Sequence, residues 1–302
     1  MNLFYKIIYV FSAFLFLISC VENKEKKNKT DDILSGEIAV LVDESLMPIA
    51  VEQKEVFESS YYNAKINLIG KPEVQAVNDL IKGESGMLIL SRELTEEEKK
   101  SFDQRSITPR IYPFAYDAVV LVGSSDIDST IATQDIIDLM AGRNTTGKKL
   151  VIDNPNSSLV RYFRELGKLD KIANTYLEVK GNATEILNTV AANDKKIGLL
   201  SFNQYLSLQR SFTEKDKIRI LSVLNDTLET PKYVKPSQAS LSTGEYPLRR
   251  EVKVLNYQPN MGLGMGFSAF VTGDRGQRIV LKSGLLPAKM PGREIIIRDN
   301  IN

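Results

Sequence analysis

Three turns rich in serine, asparagine and aspartate each follow a predicted strand and precede a predicted helix. They are Asp43-Glu44-Ser45, Asn154 to Ser158, and Gly181-Asn182. Backbone N–H groups at a helix start have no partner within the helix and carry partial positive charge, so they bind anions, and serine hydroxyls add donors. The alternative is ordinary N-capping, which the same residue types perform and which is favoured for Asn182.

The chain lacks the side chains that several catalytic chemistries need. It has 302 residues, no His and a single Cys, Cys20. A Ser-His-Asp or Cys-His nucleophilic site is therefore excluded, and so are zinc sites that use His. No P-loop, dinucleotide-binding or EF-hand pattern is present. An enzyme would therefore have to work with carboxylates, Lys, Tyr or a bound cofactor. We expect no such enzyme, and so no catalytic residue, no metal ligand and no cofactor.

The charges are nearly balanced, with 39 Lys and Arg against 38 Asp and Glu. A protein that binds a nucleic-acid backbone needs a clear basic excess on one face, so we expect no nucleic-acid partner. A small anion held by a few local donors remains compatible with this balance.

The first 20 residues have the pattern of an export and anchoring signal. Lys6 precedes an apolar run over residues 7–18, which is shorter than the roughly 20 residues of a membrane span and is typical of a signal peptide. The end of the run, Leu17 to Cys20, resembles a lipobox. We expect a signal peptide over residues 1–19, acylation of Cys20, and a polar tether over residues 20–35 that holds the domain in the periplasm of a bacterial envelope. The alternative is an ordinary signal peptide that ends near a Cys by chance, and the choice of inner or outer membrane is open.

From residue 36 onward, short apolar runs alternate with helical spacing, which predicts parallel βαβ units in an α/β fold. The run Ile111–Val122 predicts a long strand that leaves one lobe and enters a second. Residues 218–223 are predicted as one strand, and residues 231–241 as irregular chain. The predicted strands are 38–42, 64–69, 86–90, 150–152, 197–202 and 252–256; the predicted helices are 45–59, 72–81, 95–102, 133–140, 157–166, 183–192, 262–271 and 276–282.

Several segments, in their order and spacing, resemble the PstS-like periplasmic phosphate-binding proteins of ABC importers. They are 36–48, 89–98, 151–159, 192–202, 246–249, 276–277 and 284–287. The resemblance implies the type 2 substrate-binding fold: an α/β protein of two lobes, each a mostly parallel sheet flanked by helices, with a ligand cleft between the lobes. It also implies that residues 36–116 and 257–302 form the first lobe and residues 117–256 the second.

The same resemblance implies that the ligand is phosphate or a similar oxyanion and that an ABC permease is the partner. The ligand-binding residues that it implies are Ser45, Leu46, Ser91, Arg92, Asn156, Ser157 and Ser158.

This chain departs from the family pattern at three places. Ser91-Arg92 stands where the family has an Asp that accepts the proton of hydrogen phosphate, and an Arg has donors but no acceptor. Ile152-Asp153 stands where the family has an Arg, and Gly70 to Pro72 replaces a glycine-serine ligand turn. Arg92 either binds the ligand in place of the missing Arg or is a surface residue, solvent-facing or paired with Glu96.

Two other motifs have competing interpretations. Arg249 and Arg250 either face the cleft or form surface pairs, and surface pairing is favoured. The Gly262–Gly266 segment (GLGMG) lacks the Lys and the preceding strand of a P-loop, so a tightly packed helix start is favoured.

Three functions fit these observations in different ways. A solute receptor for an ABC importer would close its two lobes by a hinge near residues 114–119 and 246–254. A lipoprotein without a transport role would keep the fold as an envelope interaction or accessory module, and the altered ligand positions motivate that alternative. An enzyme on the same scaffold is least favoured, because the chain has no His and one Cys.

Overall fold

The first part of the chain builds one half of a large sheet. A computed structural model describes residues 32–143 and 146–292. Strand β1 pairs in parallel with both β2 and β3, and a short 3-10 turn, Glu44–Leu46, joins β1 to the first helix. The elements are β1 (Gly36–Asp43), α1 (Met47–Ser60), β2 (Ala64–Lys71), α2 (Glu73–Lys82), β3 (Met87–Leu90) and α3 (Glu96–Asp103).

A long strand, β4 (Arg110–Ser124), carries the sheet from this half into the next. The first half of β4 pairs with β12 (Arg249–Asn256), which also pairs with β3. The second half of β4 pairs with β8 (Lys196–Ser201) and β9 (Ile218–Ile220). Residues 111–122 therefore lie in one long strand, as predicted, and its two halves pair with different strands.

The second part of the chain completes the sheet beyond β4. Strand β8 pairs in parallel with β6, and β6 pairs with β7, while β5, β10 and β11 form a separate three-stranded sheet. The elements are β5 (Thr130–Ile131), α4 (Thr133–Met140), β6 (Lys149–Ile152), α5 (Ser158–Leu166), β7 (Leu177–Val179), α6 (Ala183–Ala191), α7 (Phe202–Gln209), β10 (Ser222–Asn225), β11 (Lys232–Val234) and α8 (Gln238–Ser242).

The chain then returns to the first half through β12, α9 (Leu263–Thr272), α10 (Asp274–Lys282) and β13 (Leu286–Pro287), which pairs with β4. We call the elements that pair with or pack on the first half of β4 the first lobe, and those on its second half the second lobe. The lobe boundary predicted at residue 256 puts β12 in the second lobe. In the structure β12 pairs with first-lobe strands.

Buried apolar strands hold both lobes together. Val40, Val42 and the β4 residues Ala118–Val122 are fully buried, as expected for strands covered by helices on both faces. Pro113 interrupts β4 at an irregular point of its pairing, where the register with β12 shifts between Val252 and Lys253. A proline is tolerated there because a bulge removes the need for its missing N–H donor.

Two predictions about the second lobe are wrong. Residues 218–223 form two strands, β9 and β10, that belong to different sheets, and residues 231–241 contain β11 and α8. Helix α7 and strand β7 were not predicted. The short length of these elements, three to eight residues, gives too little periodicity to distinguish them from loop.

The glycine-rich segment Gly262–Gly266 starts α9 and is tightly packed. A Cβ at Gly264 would lie 1.9 Å from Gln258 Oε1, and one at Gly266 would lie 1.7 Å from the carbonyl oxygen of Ile33. The favoured interpretation of a packed helix start is therefore confirmed.

The predicted signal peptide and Cys20, and most of the predicted tether, lie outside the described residues. Within residues 32–143 and 146–292, no helix has the length and apolar character needed to cross a membrane.

Candidate functional site

Two of the serines singled out from the sequence meet where the lobes touch. Ser45 lies in the turn after β1, and Ser158 is the first residue of α5, after β6. Their hydroxyl oxygens are 3.2 Å apart although 113 residues separate them along the chain, and both side chains are buried. The turns after two strands in different lobes thus present hydroxyls to one point.

Arg250 on β12 bridges these serines. Its Nη1 donates to Ser158 Oγ at 2.9 Å, and its Nη2 donates to Ser45 Oγ at 2.8 Å. Its Nε and Nη2 also donate to Asp117 Oδ2, at 2.9 and 2.7 Å. The favoured interpretation of Arg250 as a surface pair is wrong, because this guanidinium is only 5% exposed and lies between the lobes.

The sequence does indicate a buried cation near Asp117, the residue with which Arg250 pairs. Asp117 interrupts the apolar run of β4 and is completely buried. A buried carboxylate requires a cation or several hydrogen-bond donors. Arg249, the neighbour of Arg250, instead stacks over the ring of Tyr116 at 3.7 Å and donates to the carbonyl of Leu241. The period of two along a strand places these arginines on opposite faces.

Asp43 holds Ser45 in place through two hydrogen bonds. Its Oδ1 accepts from the Ser45 amide at 3.1 Å, and its Oδ2 accepts from Ser45 Oγ at 2.9 Å. Burial raises the pKa of Asp43 above its ordinary value of 3.8, the positive charge of Arg250 opposes that rise, and the negative charge of Glu73 adds to it. The Ser45 carbonyl accepts from Ser201 Oγ at 2.7 Å, which fixes the turn against the second lobe.

Four other residues were predicted to bind the ligand. Leu46 is fully buried, so only its backbone is available to a ligand, and Ser157 caps α5 by accepting from the Val160 amide at 3.5 Å. Asn156 is exposed, and its carbonyl accepts from the Val74 amide of the first lobe at 3.5 Å. Ser91 directly follows β3 and is half-buried.

Arg92 faces carboxylates. Its Nε donates to Glu73 Oε1 at 2.8 Å, and its Nη1 and Nη2 donate to the two oxygens of Glu98 at 2.7 and 2.9 Å. Burial lowers the pKa of the Arg92 guanidinium, but its hydrogen bonds to Glu98 and Glu73 outweigh that effect and raise the pKa overall. Its partners are therefore Glu73 and Glu98, and Glu96 pairs with Lys99 instead.

Glu73, the first residue of α2, was not predicted as a site residue. Its Oε1 also accepts from Arg161 Nε of the second lobe at 2.6 Å, and its side chain is only 1% exposed. A cavity of about 190 Å³ lies beside it, with Asn156, Ser157 and Arg161 also in its wall. An acidic residue in the first turn of a helix is common for electrostatic reasons, so the sequence gives no hint of this role.

Together these residues form a desolvated polar centre between two lobes. Hydroxyls, a guanidinium and the first amides of α5 can all donate to a small anion, while Asp43, Asp117 and Glu73 act as acceptors. A family model for the PBP superfamily domain matches residues 27–275 of this sequence, which is most of the chain. The chain belongs to the PBP superfamily.

Known relatives agree with that membership. This PBP superfamily protein is 24% identical over 248 residues to a phosphate-binding protein PstS of Staphylococcus epidermidis, covering 77% of this chain and 73% of that one. A further PstS, from Staphylococcus haemolyticus, is 24% identical over 229 residues, which is 72% of this chain and 69% of the relative.

Solved structures share the fold. A substrate-binding protein from Clostridium perfringens with bound phosphate superposes with a TM-score of 0.68 at 18% identity, covering 84% of this chain and 100% of the other. An ABC-type phosphate transport receptor from Vibrio cholerae gives a TM-score of 0.64 at 15% identity, with coverages of 83% and 100%. The predictions of a PstS-like family, a two-lobed α/β fold and a binding protein as opposed to an enzyme are confirmed.

Proposed function

We propose that the protein is a lipid-anchored solute-binding protein that captures phosphate or a similar oxyanion between its lobes, for an ABC importer. One observation carries the proposal: hydroxyls from the two lobes, Ser45 and Ser158, lie 3.2 Å apart, and a buried Arg250 donates to both. The names of the PstS relatives support the choice of phosphate. Cys20 would carry the anchor, and the tether would hold the domain near the permease.

The proposed anion site differs from the one expected from the sequence in its source of positive charge. Ser45, Ser157 and Ser158 would supply hydroxyls, and Leu46 and Asn156 would supply backbone groups. Ser91, which directly follows β3, stays a proposed contact. Arg250 supplies the charge that the sequence analysis gave to Arg92, whose donors are directed at Glu73 and Glu98. Arg92 would then act on the ligand through Glu73.

Calorimetric titration of the full chain, purified in detergent, with inorganic phosphate tests this proposal. The best small ligands gain about 1.5 kcal/mol per non-hydrogen atom, so phosphate, with about five such atoms, should bind with a Kd near the micromolar range. Replacing Arg250 by Gln removes charge-assisted hydrogen bonds of about 1.5–3 kcal/mol, which predicts a loss of roughly 10- to 100-fold in affinity.

Two further variants control this experiment. Arg249→Gln removes one positive charge from the same strand but on its opposite face, and should leave the Kd unchanged. Arg250→Lys keeps the charge but loses the fork that reaches both serines, so it should bind phosphate with intermediate affinity. No heat of binding at millimolar phosphate in the unsubstituted protein would defeat the proposal.

A second candidate function, an envelope interaction or accessory module without transport, is favoured by a different observation. The donors of Arg250 already have partners within the protein, and three buried acids, Asp43, Glu73 and Asp117, lie in the same region. A guanidinium whose donors are satisfied within the protein needs no solute. The same titration separates the two functions, because the accessory module predicts no binding of phosphate or of sulfate.

A further inference from the structure

Glu73 places a negative charge inside the cleft that is proposed to receive an anion. It begins α2 in the first lobe, and its Oε1 accepts from Arg92 of the same lobe and from Arg161 of the second lobe. Its side chain is only 1% exposed, so the carboxylate is almost fully removed from water. A buried charge of this kind is stable only while it is paired, which makes the contact with Arg161 a strong link between the lobes.

The second oxygen of the Glu73 carboxylate also lies away from water. Glu73 Oε2 is buried and has no hydrogen-bond partner among the described residues. Glu73 lines the cavity of about 190 Å³ together with Asn156 and Ser157, two of the residues proposed to bind the solute. The carboxylate therefore lines a cavity whose wall also includes two of the proposed solute-binding residues.

The Glu73 charge also reaches the serine pair. It contributes to the raised pKa of Asp43, whose carboxylate accepts from Ser45. A second anion brought to this region would be repelled by Glu73 and would compete with it for the donors of Arg161. Both effects weaken binding as long as the carboxylate stays in place.

We propose that Glu73 is an internal competitor of the solute: in the anion-free protein its carboxylate occupies the cleft and holds the lobes together through Arg161, and an incoming oxyanion displaces it. The contact between the Val74 amide and the Asn156 carbonyl, at 3.5 Å, adds to this closure beside Glu73. The displacement rests on the proposed function, whereas the closure without solute does not.

Two measurements on the full chain test the proposal separately. Spin labels on cysteines placed at the exposed Lys100 of the first lobe and the exposed Lys171 of the second report the distance between the lobes. Titration with inorganic phosphate reports the affinity. In anion-free buffer the unsubstituted protein should give the same distance as it gives with phosphate.

Glu73→Gln removes the charge and keeps the shape. It should lengthen the distance between the lobes in anion-free buffer and tighten phosphate binding by about tenfold or more, because the repulsion and the competition are both removed. Arg161→Gln should also open the lobes, but it should not tighten binding, since it removes a donor together with the link. The two variants should therefore differ in phosphate affinity. That difference distinguishes a Glu73 that competes with the solute from a Glu73 that only positions Arg92 and Arg161.

Glu165→Gln is the matched control. Glu165 pairs with the same arginine, Arg161, at 2.6 Å, but from the exposed side of the helix. It should leave both the distance and the affinity unchanged. If Glu73→Gln does not fold, Glu73→Asp, whose shorter side chain reaches Arg161 less well, should open the lobes in part.

The proposal is overturned if Glu73→Gln leaves the anion-free distance short, or if it leaves phosphate affinity unchanged or weaker while the unsubstituted protein binds phosphate. If no variant binds phosphate, the proposed function fails. The distance in anion-free buffer then decides alone whether Glu73 closes the lobes.

Discussion

At the scale of residues, the site combines groups that the sequence reveals with groups that it conceals. Ser45 and Ser158 could be predicted because each follows a strand and begins a helical segment. Arg250 and Glu73 were not predicted, because their own positions carry no local pattern and their partners lie 133 and 88 residues away in sequence. Asp117 was the usable clue, since a carboxylate in an apolar strand implies a cation nearby.

Asp43 makes the stability of the protein depend on pH. Burial raises its pKa above 3.8 in the folded state, so the folded protein holds this proton more tightly than the unfolded chain does. The contribution of Asp43 to the free energy of unfolding should therefore fall as pH rises from about 4 through the folded pKa. Asp43→Asn removes this dependence, so the stability of the unsubstituted protein relative to the variant should decline as pH rises.

Urea unfolding of both proteins between pH 4 and pH 8 measures this difference. Asp128→Asn, a change at an exposed carboxylate, serves as the control and should follow the unsubstituted protein. Parallel curves for the unsubstituted protein and Asp43→Asn would show that the proton affinity of Asp43 does not change on folding.

At the scale of elements, the continuous apolar runs of β1, β3 and β4 and the periodic helices were predictable, because each has its own pattern. The short elements of residues 202–242 were harder, since their structure depends on which sheet they join. Residues 218–225 illustrate this: one apolar run supplies β9 to the main sheet and β10 to the small one. Only the tertiary pairing decides where the run divides.

Gly276 is a point where one element depends on close packing. It lies on α10, where its carbonyl accepts from Gln53 of α1 at 2.8 Å. A Cβ there would lie 2.4 Å from the Phe270 carbonyl oxygen and 2.5 Å from Val271 Cα, both of which are backbone atoms. Overpacking costs about 1–3 kcal/mol, and the helix preference of alanine returns about 1 kcal/mol.

Gly276→Ala should therefore lower the free energy of unfolding by up to about 2 kcal/mol, because backbone atoms cannot move aside as a flexible side chain can. Gly181→Ala is the matched control, since its Cβ would meet Glu185 at an ordinary 3.5 Å. Thermal and urea unfolding of the two variants compare them. Equal stability of both variants would mean that α9 and α10 separate easily.

At the scale of the whole molecule, one strand joins two halves. Because β4 continues from the first lobe into the second, the turns after β1 and β6 are brought to the same seam, where Arg250 of β12 reaches them. The apolar run of residues 111–122 predicted the strand that joins the lobes, and the family resemblance predicted a cleft between them. Neither pattern predicted that the region between the lobes contains acidic side chains as well as hydrogen-bond donors. Competition between the solute and these side chains is therefore the central question.

A crystal structure of the full chain grown with phosphate tests the account most directly. It should contain an anion within about 2.6–3.2 Å of the hydroxyls of Ser45 and Ser158 and of the Arg250 guanidinium, with these hydroxyls no longer bonded to each other. Crystals grown at saturating phosphate in which Ser45 and Ser158 still bond to each other, with no anion between the lobes, would contradict it.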